Sequence, residues 1–158
     1  GIDPKKVGIM GFSAGGHLAS TLTVHYDDPK IANEEKINLR PDFSVLVYPV
    51  ITFGEFGHMG SQNNLLGNSV TPEQKQYFSN ELHVNANTPQ TFMVHANDDY
   101  AVPVQNSLKF NEALVKHKVK AQMHVYQGGG HGFGINNKTT SDDWLERLRN
   151  WLKDNQLL

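Results

Sequence analysis

At 158 residues, with 38% hydrophobic and 19% charged content, the chain has the size and make-up of one globular domain able to bury a core. Its net charge of −2 lacks the basic excess that a phosphate backbone would demand, and no apolar run approaches the roughly 18 residues that cross a bilayer, so neither nucleic acid nor a membrane is an expected partner. The absence of cysteine excludes disulfides and thiolate metal ligands but assigns no compartment.

Gly1 to Lys6 runs almost at once into Val7-Gly8-Ile9-Met10, a short apolar stretch of strand character, with no methionine start. Such an opening is expected of the second part of something longer. Gly15 to Leu22 has helical character, and the helix is expected to end near His25-Tyr26 before a polar loop to Pro41. Phe43 to Tyr48 is nearly continuous in β-branched and aromatic residues, as in a strand covered on both faces, and Pro49 ends it. From Thr52 to Asn87 the pattern loosens into Gly, Asn, Ser and Gln, which predicts a surface excursion shaping the site, with one helix that Thr71 caps and Pro72 begins.

Thr91 to His95 is a third strand, and Pro103 to Lys118 a helix with Val104, Leu108 and Val115 spaced along one face. Ala121 to Tyr126 is a fourth strand. Ser141 is placed to cap a last helix, in which Trp144, Leu145, Leu148, Trp151 and Leu152 form one apolar stripe. Strands alternating with helices predict an α/β fold, a parallel sheet with helices on both faces, whose chemistry gathers beyond the carboxyl ends of the strands.

Gly11-Phe12-Ser13-Ala14-Gly15 lies between the first strand and the first helix. A serine hydroxyl is a weak nucleophile unless it is exposed, paired with a base and faced by donors for an oxyanion. Gly-x-Ser-x-Gly in a strand-to-helix setting supplies the exposure, the small flanking residues letting backbone segments approach closely. His131, in the glycine-rich loop Gly128 to Gly134 after the fourth strand, can swing over the same edge of the sheet as a base. Asp98 and Asp99 both follow the third strand there, and the residues alone leave open which of them faces the histidine; the other would be a solvated cap of the following helix. The order serine, acid, histidine is that of α/β-hydrolases. His17, His95 and His124 read as structural or surface residues. A zinc site from His95, Asp98, Asp99 and His131 has suitable ligand types but no HExxH-like spacing, and neither a metal nor a cofactor is expected.

With Gly11 to Ala19, His95 to Pro103 and Gly130 to Phe133 as anchors, the chain resembles the α/β-hydrolase superfamily, and within it bacterial acetyl xylan esterase-like proteins. The resemblance implies a three-layer αβα fold of which this is the C-terminal portion. It aligns His95, Ala96, Asp99, Val102 and Pro103 with the family's acid segment, and so selects Asp99 as the acid beside Ser13 and His131. It implies an esterase acting on a small-molecule or carbohydrate ester, with the Ala14 amide as one oxyanion donor. A peptidase of the prolyl oligopeptidase type, sharing the triad order, and a non-catalytic hydrolase-fold module are the rival expectations.

The family's second oxyanion donor comes from a His-Gly-Gly-type loop in an earlier half, and one such donor is worth ~2.7 to 4 kcal/mol. The 158-residue chain alone is therefore expected to be weakly active or inactive, its first strand presenting an open edge to the absent half or to another chain. Likeness to carbohydrate esterases implies a periplasmic or secreted enzyme, but the residues themselves leave the compartment open between that and the cytoplasm.

Overall fold

A computed structural model describes residue 1 and residues 3–158, and the four apolar stretches in it form one sheet of four parallel strands in the order β1-β2-β3-β4. These are β1 (Gly8–Phe12), β2 (Phe43–Val47), β3 (Gln90–Ala96) and β4 (Ala121–Tyr126). In register, Met10 stands opposite Val45, Val45 opposite Phe92, and Phe92 opposite Gln122. Parallel neighbours need long crossovers, and helices supply them: α1 (Ser13–His25) between β1 and β2 and α4 (Gln105–Lys116) between β3 and β4, while α5 (Trp144–Asp154) follows the last strand.

Side chains alternate across each strand, so the sheet has two apolar faces. Leu46 and Met93 point to one, where they pack with Ala19 and Val24 of α1 and with Phe110 and Leu114 of α4. Val45, Val47, Phe92 and Val94 point to the other, beneath Trp144, Leu148 and Trp151 of α5. The result is the expected αβα sandwich. β1 forms one edge of the sheet, and Met10 on it is 46% exposed.

Two local expectations are corrected. Asp143, not Ser141, caps α5, its carboxylate accepting the Leu145 N–H. On α4 the buried residues are Asn106, Ser107, Phe110 and Leu114, whereas Leu108 and Val115 are exposed and only Val104, its N-cap residue, is covered as expected. A face holding two polar residues has no hydrophobic periodicity to read. Asn106 is buried because its side chain is fully used: Oδ1 accepts the Ile51 and Thr52 amides, and Nδ2 donates to the Phe56 and Pro103 carbonyls.

Those bonds fix the start of residues 52–87, which hold α2 (Met59–Leu66), α3 (Pro72–Tyr77) and a short 3₁₀ turn at Asn80–His83. Thr71 and Gln74 form a capping box at α3. Asn80 fixes the far end, its Nδ2 donating to Ser20 Oγ at 2.7 Å and Thr21 Oγ1 at 3.0 Å on α1.

Burial, the largest cause in each case, holds His17, His25, His95 and His124 below the ordinary histidine value of 6.5. The unfolded chain protonates these side chains near 6.5, while the folded protein resists until lower pH. Stability from this source is therefore present above 6.5 and lost as pH falls below it. The urea midpoint is expected to drop between about pH 7.5 and about pH 5.5 with the slope m unchanged. An equal or higher midpoint at the acidic end contradicts this.

Candidate active site

Ser13 follows β1 directly and begins α1 with a φ of 53°. That left-handed conformation costs a residue with a Cβ roughly 1–2 kcal/mol, and it turns the side chain out above the strand ends. The surrounding backbone has to be tightly packed to impose it. A Cβ on Gly11 would stand 2.1 Å from the Gly15 carbonyl oxygen, and one on Gly16 would stand 2.6 Å from Pro49 Cβ. At Gly15 a Cβ would meet nothing within 4 Å. The close approaches thus belong to Gly11 and Gly16, the second of which lies outside the five-residue motif.

The structure brings Ser13, His131 and Asp99 together from three strand ends. Ser13 Oγ lies 2.7 Å from His131 Nε2, and His131 Nδ1 lies 2.7 Å from Asp99 Oδ2. An ionised carboxylate only accepts, so Nδ1 carries the ring proton and Nε2 is left to accept from the serine hydroxyl. The Asp99 side chain is wholly buried, and that of His131 is 25% exposed. Asp99 Oδ1 also accepts the amides of Ala101 at 3.1 Å and Val102 at 2.8 Å.

Asp98, the other candidate acid, neither faces the imidazole nor caps α4 as a solvated residue. Its carboxylate accepts the Gly130 amide at 2.7 Å and the Gly129 amide at 3.3 Å, so it holds the backbone of the loop whose side chain Asp99 holds. Gly129 and Gly130 have φ of 143° and 59°, values that turn both amides toward it. Beyond His131 the loop is held again. Tyr48 Oη accepts the Gly134 N–H at 3.0 Å, and Trp144 Nε1 donates to the Gly134 carbonyl at 3.1 Å.

In the sequence Tyr48 is only the end of a strand, yet its ring lies edge-on to the His131 imidazole with centroids 5.0 Å apart. Burial pushes its hydroxyl above the ordinary tyrosine value, the nearby Asp99 charge adds to this, and the Gly134 amide opposes it. It therefore stays a neutral phenol. The only sequence signal for its role was its place, directly before Pro49 at the carboxyl edge of the sheet.

Ala14 is the second residue of α1, so its amide is among those that find no partner within the helix and point toward its positive end. A cleft of about 360 Å³ opens beside it, lined by Ala14, His17, Leu18, Ser61, Asn64 and Phe78 among others. A larger cavity of about 500 Å³ lies farther along α1, around Leu22, Ile31 and Tyr77, away from Ser13 and its partners. Of the other histidines, His17 is buried against Phe53 with Nε2 at 2.9 Å from the Phe78 carbonyl, and His124 contacts Gln122. Among the described residues no cluster of three or more His, Asp or Glu side chains has the arrangement to hold a metal ion.

Comparison with known proteins gives a match to the prolyl oligopeptidase family over residues 1–156. An acetylxylan esterase of Xylanibacter ruminicola is 37% identical over 158 residues, 96% of this chain and 31% of that protein. Endo-1,4-beta-xylanase B of Butyrivibrio fibrisolvens is 43% identical over 145 residues, 90% of this chain and 23% of that protein. The crystal structure of an acetyl ester-xyloside bifunctional hydrolase from Caldicellulosiruptor lactoaceticus superposes with a TM-score of 0.93 at 40% identity, covering 99% of this chain and 59% of that one. The chain thus spans less than a third of these curated relatives and about three-fifths of the solved structure.

The packing around the turn makes a contrast between two glycines three and two residues after Ser13. Gly16→Ala is expected to destabilise the protein by about 1–3 kcal/mol in urea unfolding, through the clash with Pro49. Gly15→Ala, with open space and a helical position, is expected to be neutral or slightly stabilising. Equal effects of the two would mean that the turn is not held by the Gly16 contact.

Proposed function

Since the chain belongs to the prolyl oligopeptidase family, we propose that it carries the reacting residues of a serine esterase, removing short acyl groups, acetyl foremost, from carbohydrate. The observation that carries the reading is the relay from Ser13 Oγ through His131 to buried Asp99, with both contacts at 2.7 Å. The substrate class follows the relatives: one is named an acetylxylan esterase and another an acetyl ester-xyloside hydrolase.

In the first half-reaction Ser13 Oγ bonds to the ester carbonyl carbon as its proton passes to His131 Nε2. The carbonyl oxygen takes the negative charge and lies against the Ala14 amide, at the positive end of α1. Collapse breaks the bond to the alcohol, which leaves with the proton from His131, and the acyl group stays on Ser13. In the second half a water gives a proton to His131 and attacks the acyl carbon, the acid departs, and Ser13 regains its proton. Asp99 remains a carboxylate throughout, fixing the tautomer and steadying the imidazolium. We further propose that the second oxyanion donor enters beside β1, where the sheet edge can take another strand.

The family's description favours a second reading, a peptidase. The same relay serves an amide, so the substrates must discriminate. The full-length protein is expected to hydrolyse p-nitrophenyl acetate and acetylated xylo-oligosaccharides, and to leave prolyl p-nitroanilides intact. The opposite preference makes it a peptidase.

A fluorophosphonate probe should label Ser13, and a folded protein that takes no label removes the serine mechanism altogether. Asp99→Asn should cost about 10⁴ in kcat, because the amide can support the wrong tautomer. Asp98→Asn, which keeps an acceptor for the loop amides, should cost about tenfold or less. The reverse ranking would make Asp98 the acid.

A further inference from the structure

His95 has no part in the steps above, although it sits at the end of β3, four residues before Asp99, with none of its surface exposed. Its Nε2 lies 2.9 Å from the Val102 carbonyl oxygen and 3.2 Å from Asp99 Oδ2. Both partners only accept, so Nε2 carries a proton. On the other side of the ring, Nδ1 lies 2.8 Å from Ser107 Oγ, buried on α4. A hydroxyl can donate, so this contact is satisfied by an unprotonated Nδ1 and the ring needs no second proton. Burial pushes His95 below the ordinary histidine value, against the opposing pull of the Val102 carbonyl and the Asp99 charge. The ring is thus a neutral donor with one tautomer dictated by its neighbours.

Charge decides what such a donor can do. A cation at this place would pair with the Asp99 carboxylate and compete with the imidazolium that forms on His131. A neutral N–H restrains the same oxygen and leaves its charge whole. We propose that His95 is a positioning residue: its Nε2–H holds Asp99 Oδ2 in line with His131 Nδ1 while reserving the full carboxylate charge for the imidazolium formed during turnover. This role rests on the reading of Ser13 and His131 given above, but the geometry it predicts does not.

The test compares two amide replacements in the full-length protein. In His95→Gln the amide nitrogen reaches the place of Nε2, and in His95→Asn the shorter side chain reaches only that of Nδ1. Folded His95→Asn should lose about tenfold to a hundredfold in kcat for an acetyl ester with KM unchanged, the size of effect that supporting hydrogen bonds have elsewhere. Its low-field proton resonance from the His131–Asp99 hydrogen bond should be moved or lost. His95→Gln should stay within about fivefold of the parent and keep that resonance, as a retained donor requires.

A role in packing alone would instead make both losses follow the melting temperatures. Parental kcat and an unmoved resonance in folded His95→Asn overturn the proposal, as does equal impairment of the two variants. Nitrogen-15 spectra of the unmodified protein give a second test that needs neither ester turnover nor a stable variant. Nε2 protonated and Nδ1 bare near neutral pH is the expected state, and a doubly protonated ring or the other tautomer overturns the proposal. A protein that passes these spectra but turns over no ester would sink the esterase reading and leave the His95 geometry standing.

Discussion

A carboxylate shut away from water must have its lone pairs met by donors, because a bare buried anion costs more than a small domain can spare. Asp99 is in that position, and its surroundings follow from it. Oδ1 is met by the Ala101 and Val102 amides, which bends the chain sharply after β3. Oδ2 is met by two imidazoles, one buried behind it and one a quarter exposed on the side of Ser13. The bend delivers Val104 to the start of α4, and α4 in turn brings Ser107 under His95 and Asn106 under Ile51. One buried charge thereby organises the end of β3, the first turn of α4 and the root of residues 52–87.

Strain at Ser13 is the second constraint, and it depends on the first only through shared walls. The left-handed turn persists because Gly11 folds against the Gly15 carbonyl while Gly16 lies on Pro49. Pro49 is itself held in a tight passage, for Tyr48 before it has a φ of 37° and donates its amide to the Val94 carbonyl. Two adjacent strand ends thus carry a non-glycine residue at positive φ, and the pair brace each other. Backbone geometry alone therefore sets the direction in which the Ser13 side chain leaves the chain.

Much of this could be read in the sequence, because the strands are short apolar runs and the turn at Ser13 has its own spacing of glycines. Ser13 and His131 stood out through glycines, which mark places where backbone must turn or approach. What escaped reading lacks such marks. Met59–Leu66 forms a helix from Met, Gly, Ser, Gln, Asn and Leu, with no apolar stripe and a histidine, His58, as its cap. The buried face of α4 is half polar, so periodicity pointed to the wrong residues. Asp98 serves backbone amides, which look the same at every position. Choosing between Asp98 and Asp99 needed a family resemblance, since adjacent carboxylates on one loop differ only in where the chain turns them.

Tyr48, Pro49 and Val50 link Ser13 to the loop that bears His131. The Val50 amide donates to the Ser13 carbonyl at 3.0 Å, and the Tyr48 hydroxyl receives the Gly134 amide from the loop that bears His131. These three residues act as a spacer bar between Ser13 and the loop of His131, and the bar is complete before Thr52, where the excursion begins. Whatever lengthens, shortens or rewrites residues 52–87 hangs from the far side of that bar. The fold thus sets residues 52–87 apart from the short stretch that keeps Ser13 Oγ and His131 Nε2 a hydrogen bond apart.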